Sequence, residues 1–221
     1  SQLFQSSEAL FEQKETLSEY HFFEGPIADL NPAAGVYPYD VNTPLFSNYS
    51  EKSRFFKLPP GKKMTYRDTV VFDFPVGSVL IKNFYYPKDF RKKQKGRTIL
   101  ETRLLVHEAG GWQAYPYVWN EEQTEAYYDP AGDRKEVKYV NHSGKKITTS
   151  YLIPNKNQCK GCHLRENTIL PVGPSARQLN RSANTPGSKN QLLYWHEAQL
   201  IKGMPSASDL PPAIVWDDPG S

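Results

Sequence analysis

Cysteine and methionine are scarce, with two of each in 221 residues. Two cysteines cannot build the disulfide framework of a small secreted scaffold. They also cannot complete a four-cysteine zinc site. Long apolar runs are missing too. None approaches the roughly 18–20 residues of a membrane-spanning helix, so no transmembrane segment is expected in this chain. No charged-then-apolar leader opens the sequence. Charge of one sign is not in excess: 27 basic residues face 24 acidic ones, a net +3. That balance excludes the broad basic footprint of a nucleic-acid partner.

Aromatics are abundant, with 14 tyrosines and 11 phenylalanines, so rings must supply much of any core. The first 35 residues read as helical, then irregular. Ser6 or Ser7 is a candidate cap for SSEALFEQ, and a second short helix is expected over 17–23. Six Gly and Pro residues between 24 and 50 indicate a long connection wrapped over a core. From about 53 to 153 the pattern turns to strands. SRFFKLP, MTYRDTVVFDF, GSVLIKNFYY, TILETRLLVHE, GWQAYPYVWN, EAYYD, EVKYV and KKITTSYLI are β-branched, aromatic and punctuated by Gly, Pro, Asn and Asp. Gly110-Gly111 marks a hairpin, and HSGKK marks a turn. SKNQLLYWHEAQLIKG (188–203) reads as a helix capped by Ser188 and ended by Gly203, with Leu193, His196 and Leu200 on one stripe. Four stretches result: an N-terminal wrap over 1–50, an antiparallel β region over 51–154, a segment with the cysteines and the last helix over 155–205, and an extended tail or linker over 206–221.

Both cysteines fall in NQCKGCH, as Cys159, Cys162 and the adjoining His163. CxxCH has a chemical reason for its spacing. Two thiols one helical turn apart can each add to a vinyl group of one haem, and the next histidine then lies under the iron. Chance placement of this pattern is on the order of one in 5,000, so a functional reading is preferred. A thioredoxin-like pair would need a strand–helix setting, which the pattern here lacks. Covalent haem c implies a periplasmic or otherwise extracytoplasmic protein, where thioether bonds also protect the pair from oxidation. The other nitrogen of a proximal histidine normally donates to a carbonyl. Eleven residues after His163 comes Pro174, in PVGPSARQLN. A Gly-Pro at this distance resembles the small class I cytochromes c, and makes Pro174 the candidate acceptor. A proline turn without haem contact is the alternative. Arg177 is a candidate partner for a haem propionate, or a surface arginine.

The sixth iron site decides function. Met204, 41 residues after His163, is a candidate distal ligand. A histidine is another, and an open or water-occupied site a third. His196 sits on the expected apolar stripe, whereas His21, His107 and His142 are expected near strand ends or loops and exposed. In FPVGSVLIKNFYY, alternation puts Leu80, Lys82, Phe84 and Tyr86 on one face and Val79, Ile81 and Tyr85 on the other. Both faces are mostly apolar, so the strand should be central. A lysine there must be paired, neutralised or used, unless it snorkels to the sheet margin.

Five stretches carry a wider resemblance: VNTPLFSNYSEKSRFFKLP, FPVGSVLIKNF, ETRLLVHEAGGWQAYPYVWN, NQCKGCH and PVGPSARQLN. Together they resemble a poorly characterised group of bacterial c-type cytochrome proteins, often di-haem, in which a second CxxCH module follows a segment like LPPAIVWDDP. The strand with Lys82 and the late CxxCH are also similar to the lysine-crosslinked, hydroxylamine-oxidising mono-haem cytochromes and to cytochrome c-prime-beta. That likeness implies a haem packed on the sheet, with Lys82 as the residue that can bond to the porphyrin edge. The expected fold is α+β: an antiparallel sheet or small barrel, N-terminal helices, and a C-terminal helical, cytochrome c-like attachment segment. The expected function is a mono-haem electron-transfer domain working with a redox partner protein or a following cytochrome module. The basic run at 88–97 is a solvated loop or a docking patch for that partner. An open-site haem oxidoreductase or sensor for hydroxylamine or NO, walled by Phe84, Tyr115 or Tyr117, is the alternative. A β-rich binding domain using Trp112 and Trp119 is a third reading.

Overall fold

The computed structural model describes residues 11–42, 50–157, 164–165, 168–169, 171, 174–182 and 189–211. Strands β1 (Phe23–Glu24) and β2 (Asn31–Pro32) precede β3 (Val36–Tyr39) and β4 (Glu51–Lys57). The short β5 (Met64–Thr65) comes before the long strands β6 (Val79–Pro87), β7 (Arg97–Glu108) and β8 (Gly111–Trp119), and then β9 (Ala126–Tyr128). Strands β10 (Asp133–Val140) and β11 (Lys146–Ile153) form a two-stranded sheet, joined to the rest by a bridge from Val140 to Asp89, and β12 (Leu164–Arg165) and β13 (Thr168–Ile169) form another. Last comes β14 (Ile201–Lys202), parallel to β5. Six strands form one antiparallel sheet in the order β3-β4-β6-β7-β8-β9.

The position of β6 inside this sheet follows from its composition. Seven of its nine side chains are buried, as expected of a strand covered on both faces. The β7–β8 hairpin turns through Ala109-Gly110, because Glu108 pairs with Gly111. Gly111 takes φ +109°, which only glycine adopts without strain. The register shifts opposite Phe84 and Tyr85, where Leu100 is the extra residue of a bulge in β7.

The two faces of the sheet bury different clusters. On one, Phe55, Ile81, Leu104, Tyr117 and Trp119 are covered by Leu17, Phe22, Phe23, Ile27 and Leu30 of the N-terminal wrap. A chain of polar contacts crosses this face. Trp119 Nε1 donates to Thr102 Oγ1 (2.9 Å), Thr102 Oγ1 to Asn83 Oδ1 (2.6 Å), and Asn83 Nδ2 to Ser53 Oγ (3.3 Å). On the opposite face, Phe56, Leu80 and Leu105 pack with Leu192, Trp195 and Leu200, while Phe84 and Tyr86 pack with Val137, Tyr151 and Ile153 of the β10–β11 hairpin. Each fully buried aliphatic or ring contributes about 1.5–3 kcal/mol.

The fold is β-rich, which corrects the α+β expectation. Strand outweighs helix 43% to 14%, and the helices Ala176–Leu179 and Gln191–Glu197 are four and seven residues long. This is not a helical, cytochrome c-like C-terminal segment. The sheet is also open, with β3 and β9 at its margins, and not a closed barrel. The helix expected at 17–23 is replaced by a single 3-10 turn at Ser18–Tyr20 and the start of β1 at Phe23. Edge pairing wins there: Leu17 N donates to Ala126 O and Tyr128 N to Glu15 O, so the N-terminal wrap covers β9. The expected helix at SSEALFEQ lies largely outside the described residues.

MTYRDTVVFDF is not one strand. Thr65 and Asp73 exchange backbone hydrogen bonds of 2.8 and 3.0 Å, and Arg67 pairs with Asp73, so the segment closes on itself as a loop. The last helix is shorter than expected. Asn190 caps it by accepting from Leu192 N at 3.0 Å, and Ser188 lies outside the described residues. The helix ends before Gln199, whose φ is +61°, and Leu200 already belongs to the approach to β14. Its buried side is Leu192 and Trp195, so His196 is exposed rather than on the apolar stripe.

Candidate functional site

Cross-strand register sets one row of residues on the face shared by the C-terminal helix and the β10–β11 hairpin. Tyr39, Arg54, Lys82, Arg103 and Pro116 are direct partners across β3, β4, β6, β7 and β8. Residues directly opposite in a ladder point to the same face. Three adjacent cations therefore stand side by side. The row on one side is Tyr37, Phe56, Leu80, Leu105 and Ala114; the row on the other is Lys52, Phe84, Glu101 and Val118. The cations form a polar stripe between two apolar clusters.

Like charges in this position repel, and their desolvation adds to the cost. Desolvation first, then Arg54, Arg103 and Lys52, lower the pKa of Lys82 to about 7. Lys52 is lowered to about 8 by desolvation, Arg54 and Arg103. Arg54 is 8% exposed, and burial lowers its pKa as well. Glu101, fully buried, is already committed. Its Oε2 accepts from Arg103 Nε at 2.7 Å, and its Oε1 from Arg103 Nη2 at 2.6 Å and Tyr151 OH at 2.7 Å. Rings compensate in part. The Lys82 ammonium lies 5.2 Å and the Arg103 guanidinium 4.3 Å from the centre of Phe84.

Cys159, Cys162 and His163 lie outside the described residues. The chain enters that segment from β11 and leaves it into the β12–β13 hairpin, of which β13 runs beside β8. Pro174 is buried, and its carbonyl accepts from Phe72 N at 2.9 Å. Arg177 is exposed, and its carbonyl accepts from Asn42 Nδ2 at 2.6 Å. Met204 is half-buried against the cluster of Phe56, Leu80 and Trp195. The only other methionine, Met64, is fully enclosed in the same cluster. Lys82 is half-buried mid-sheet and not at the margin.

The histidines divide differently from expectation. His21 and His142 are exposed, but His107 is half-buried, with Nδ1 2.7 Å from Phe74 O and its ring stacked 4.7 Å from Trp112. Among the described residues, no cluster of three or more His, Cys, Asp or Glu side chains is arranged to hold a metal.

The wall expected for an open distal face does not assemble. Phe84 shares the face of Lys82, but Tyr115 and Tyr117 pair on the other face, opposite Leu104 and Thr102. Trp112 and Trp119 are 7% and 0% exposed, so neither offers a surface for a sugar. Arg54, Arg103 and Lys52 are the site residues that the sequence reading passed over. The available signal was a cation set among apolar residues in SRFFK and in ETRLL, as in VLIKN.

Comparison of the chain with protein-family models, with curated proteins and with solved structures gave no match.

Proposed function

We propose that this chain is a mono-haem c-type cytochrome domain of β-sheet architecture that passes single electrons. Cys159 and Cys162 hold the haem by thioether bonds, and His163 is the proximal iron ligand. The observation that carries the reading is CxxCH at 159–163 in a chain with no other cysteine. When bound, the haem supplies a one-electron iron couple. The residues present suit such a group. A haem has an apolar face and carboxylate edges, and the sheet offers the apolar row of Phe56, Leu80 and Leu105 beside a stripe of cations. That row excludes water, and the cations compensate carboxylate charge. Pro174 O accepts one bond from Phe72, which leaves its second acceptor position for an imidazole N–H. Met204 remains the candidate distal ligand. An extracytoplasmic location and a redox partner protein or following cytochrome module belong to the same proposal.

One observation favours a second reading, an open-site haem oxidoreductase or sensor with Lys82 joined to the porphyrin edge. With a pKa near 7, Lys82 is substantially a free amine at neutral pH. Optical spectra of the haem-loaded chain, oxidised, reduced and with CO, separate the two. Electron transfer predicts a low-spin c-type spectrum unchanged by CO. A CO adduct with a red-shifted Soret band would favour the second reading instead. A purified chain without any haem absorbance would overturn both.

A further inference from the structure

We infer that Arg54, Lys82 and Arg103 form a binding site for a carboxylate group. Three observations carry this. First, the three are neighbours on a single row of the sheet, with Lys52 one row away. Second, Arg54 is nine-tenths buried, yet neither Arg54 nor Lys82 donates a hydrogen bond to any described residue. A largely desolvated guanidinium without a protein acceptor is costly, and that of Arg54 borders a cavity from which an acceptor can reach it. Third, among the described residues no carboxylate forms an ion pair with Arg54 or Lys82. Glu101 is held by Arg103 and Tyr151, and Asp40 acts on Arg54 only at a distance, without an ion pair.

The surroundings fit an anion with an apolar body. A cavity of about 500 Å³ opens beside Arg54, lined also by Lys52, Tyr39, Arg97, Asp29 and Asp40; Lys82 and Arg103 follow Arg54 along the row without lining the cavity. Outside the cavity lining, Trp195 packs edge-on against Phe56 at 5.0 Å, and its buried Nε1 has no acceptor among the described residues. Arginine recognises carboxylates through two parallel N–H bonds, and a lysine beside it adds a point charge. A bound carboxylate also relieves the repulsion within the row, so the anion stabilises the fold that binds it. The carboxylate has two sources, a propionate of the attached haem or a free small carboxylate. The first rests on the proposed function; the second does not.

The experiment compares thermal midpoints of the full chain with and without succinate, at ionic strength held constant with chloride. It uses the haem-bearing chain and the Cys159→Ala/Cys162→Ala chain, each with and without Lys82→Met and Arg54→Met. In the haem-free chain succinate should raise the midpoint, and either substitution should remove the effect. If a propionate fills the row, succinate leaves the haem-bearing chain unchanged. Lys82→Met then moves upward the pH at which the reduction potential begins to vary. If the source is a free carboxylate, succinate raises the midpoint of both chains. Should the haem-free chain not fold, the haem-bearing arm decides alone. Should the natural chain carry no haem, the succinate arm is read on it directly, so the two failures separate. The inference is overturned if succinate shifts neither chain and the potential's pH profile is unmoved by Lys82→Met. A succinate shift that survives both substitutions overturns it as well.

Discussion

Replacing Lys82 with methionine should stabilise the haem-free chain, and the gain should depend on pH. In the fold its pKa falls from 10.5 to about 7, with desolvation the main cause. At about 1.36 kcal/mol per unit, that is a penalty of roughly 3–5 kcal/mol. The unfolded chain holds the proton more tightly, so folding releases it between about pH 7 and 10.5. The penalty is therefore fully present below pH 7 and fades as pH rises through that window. The groups facing Lys82 are Arg54 and Lys52 from β4, and Arg103 and Glu101 from β7, with Tyr151 of β11 bonded to Glu101. Of these, Lys52 titrates in the same range, near 8, and with the same sign. Subtracting the variant from the parent therefore isolates Lys82 and its coupling to Lys52. Urea unfolding of the Cys159→Ala/Cys162→Ala chain would show Lys82→Met more stable by about 2–4 kcal/mol at pH 7. The difference should shrink to about 1 kcal/mol at pH 9.5. A variant less stable at pH 7, or a difference flat with pH, would refute the claim that Lys82 is a desolvated cation among cations.

Three further changes test the frame around the row. Thr102→Val breaks the Trp119–Thr102–Asn83 chain while keeping the shape, and should lower stability by about 1–3 kcal/mol in urea unfolding. Gln191→Leu removes the buried amide that binds Asp40 N, Asp40 O and Leu179 O. It should cost about 2–4 kcal/mol and raise the hydrogen exchange of the Gln191–Glu197 helix more than that of β7. Gly111→Ala forces a left-handed φ on the β7–β8 turn and should cost about 1–2 kcal/mol without changing the circular dichroism of the sheet.

Strands β6, β7, β8, β10 and β11 were legible because period-2 alternation and β-branched or aromatic content coincide in them. Where local pattern and long-range pairing disagree, pairing decides. Residues 66–72 have strand-like composition, yet the Thr65–Asp73 closure and the Ser175 bridge to Val71 fold them into a loop. The 188–203 stretch has helical spacing, yet Gln191 and Leu192 dock the helix so that Trp195, not His196, turns inward. Lys82 could be singled out from one strand alone. That Arg54 and Arg103 stand beside it could not, because register across β4, β6 and β7 comes from contacts 20 to 30 positions apart. The opposite placement of Phe84 and Tyr117 was hidden for the same reason. Two strands can each alternate correctly while their relative faces stay undetermined until paired.

The proposed electron transfer requires a haem held covalently by Cys159 and Cys162. Its most direct measurement is the intact mass of the full chain under denaturing conditions, after production in a host that attaches c-type haem. The natural chain should show the chain mass plus one haem, and Cys159→Ala/Cys162→Ala the chain mass alone. An unmodified mass for the natural chain, produced beside a control cytochrome that does receive its haem, would contradict it.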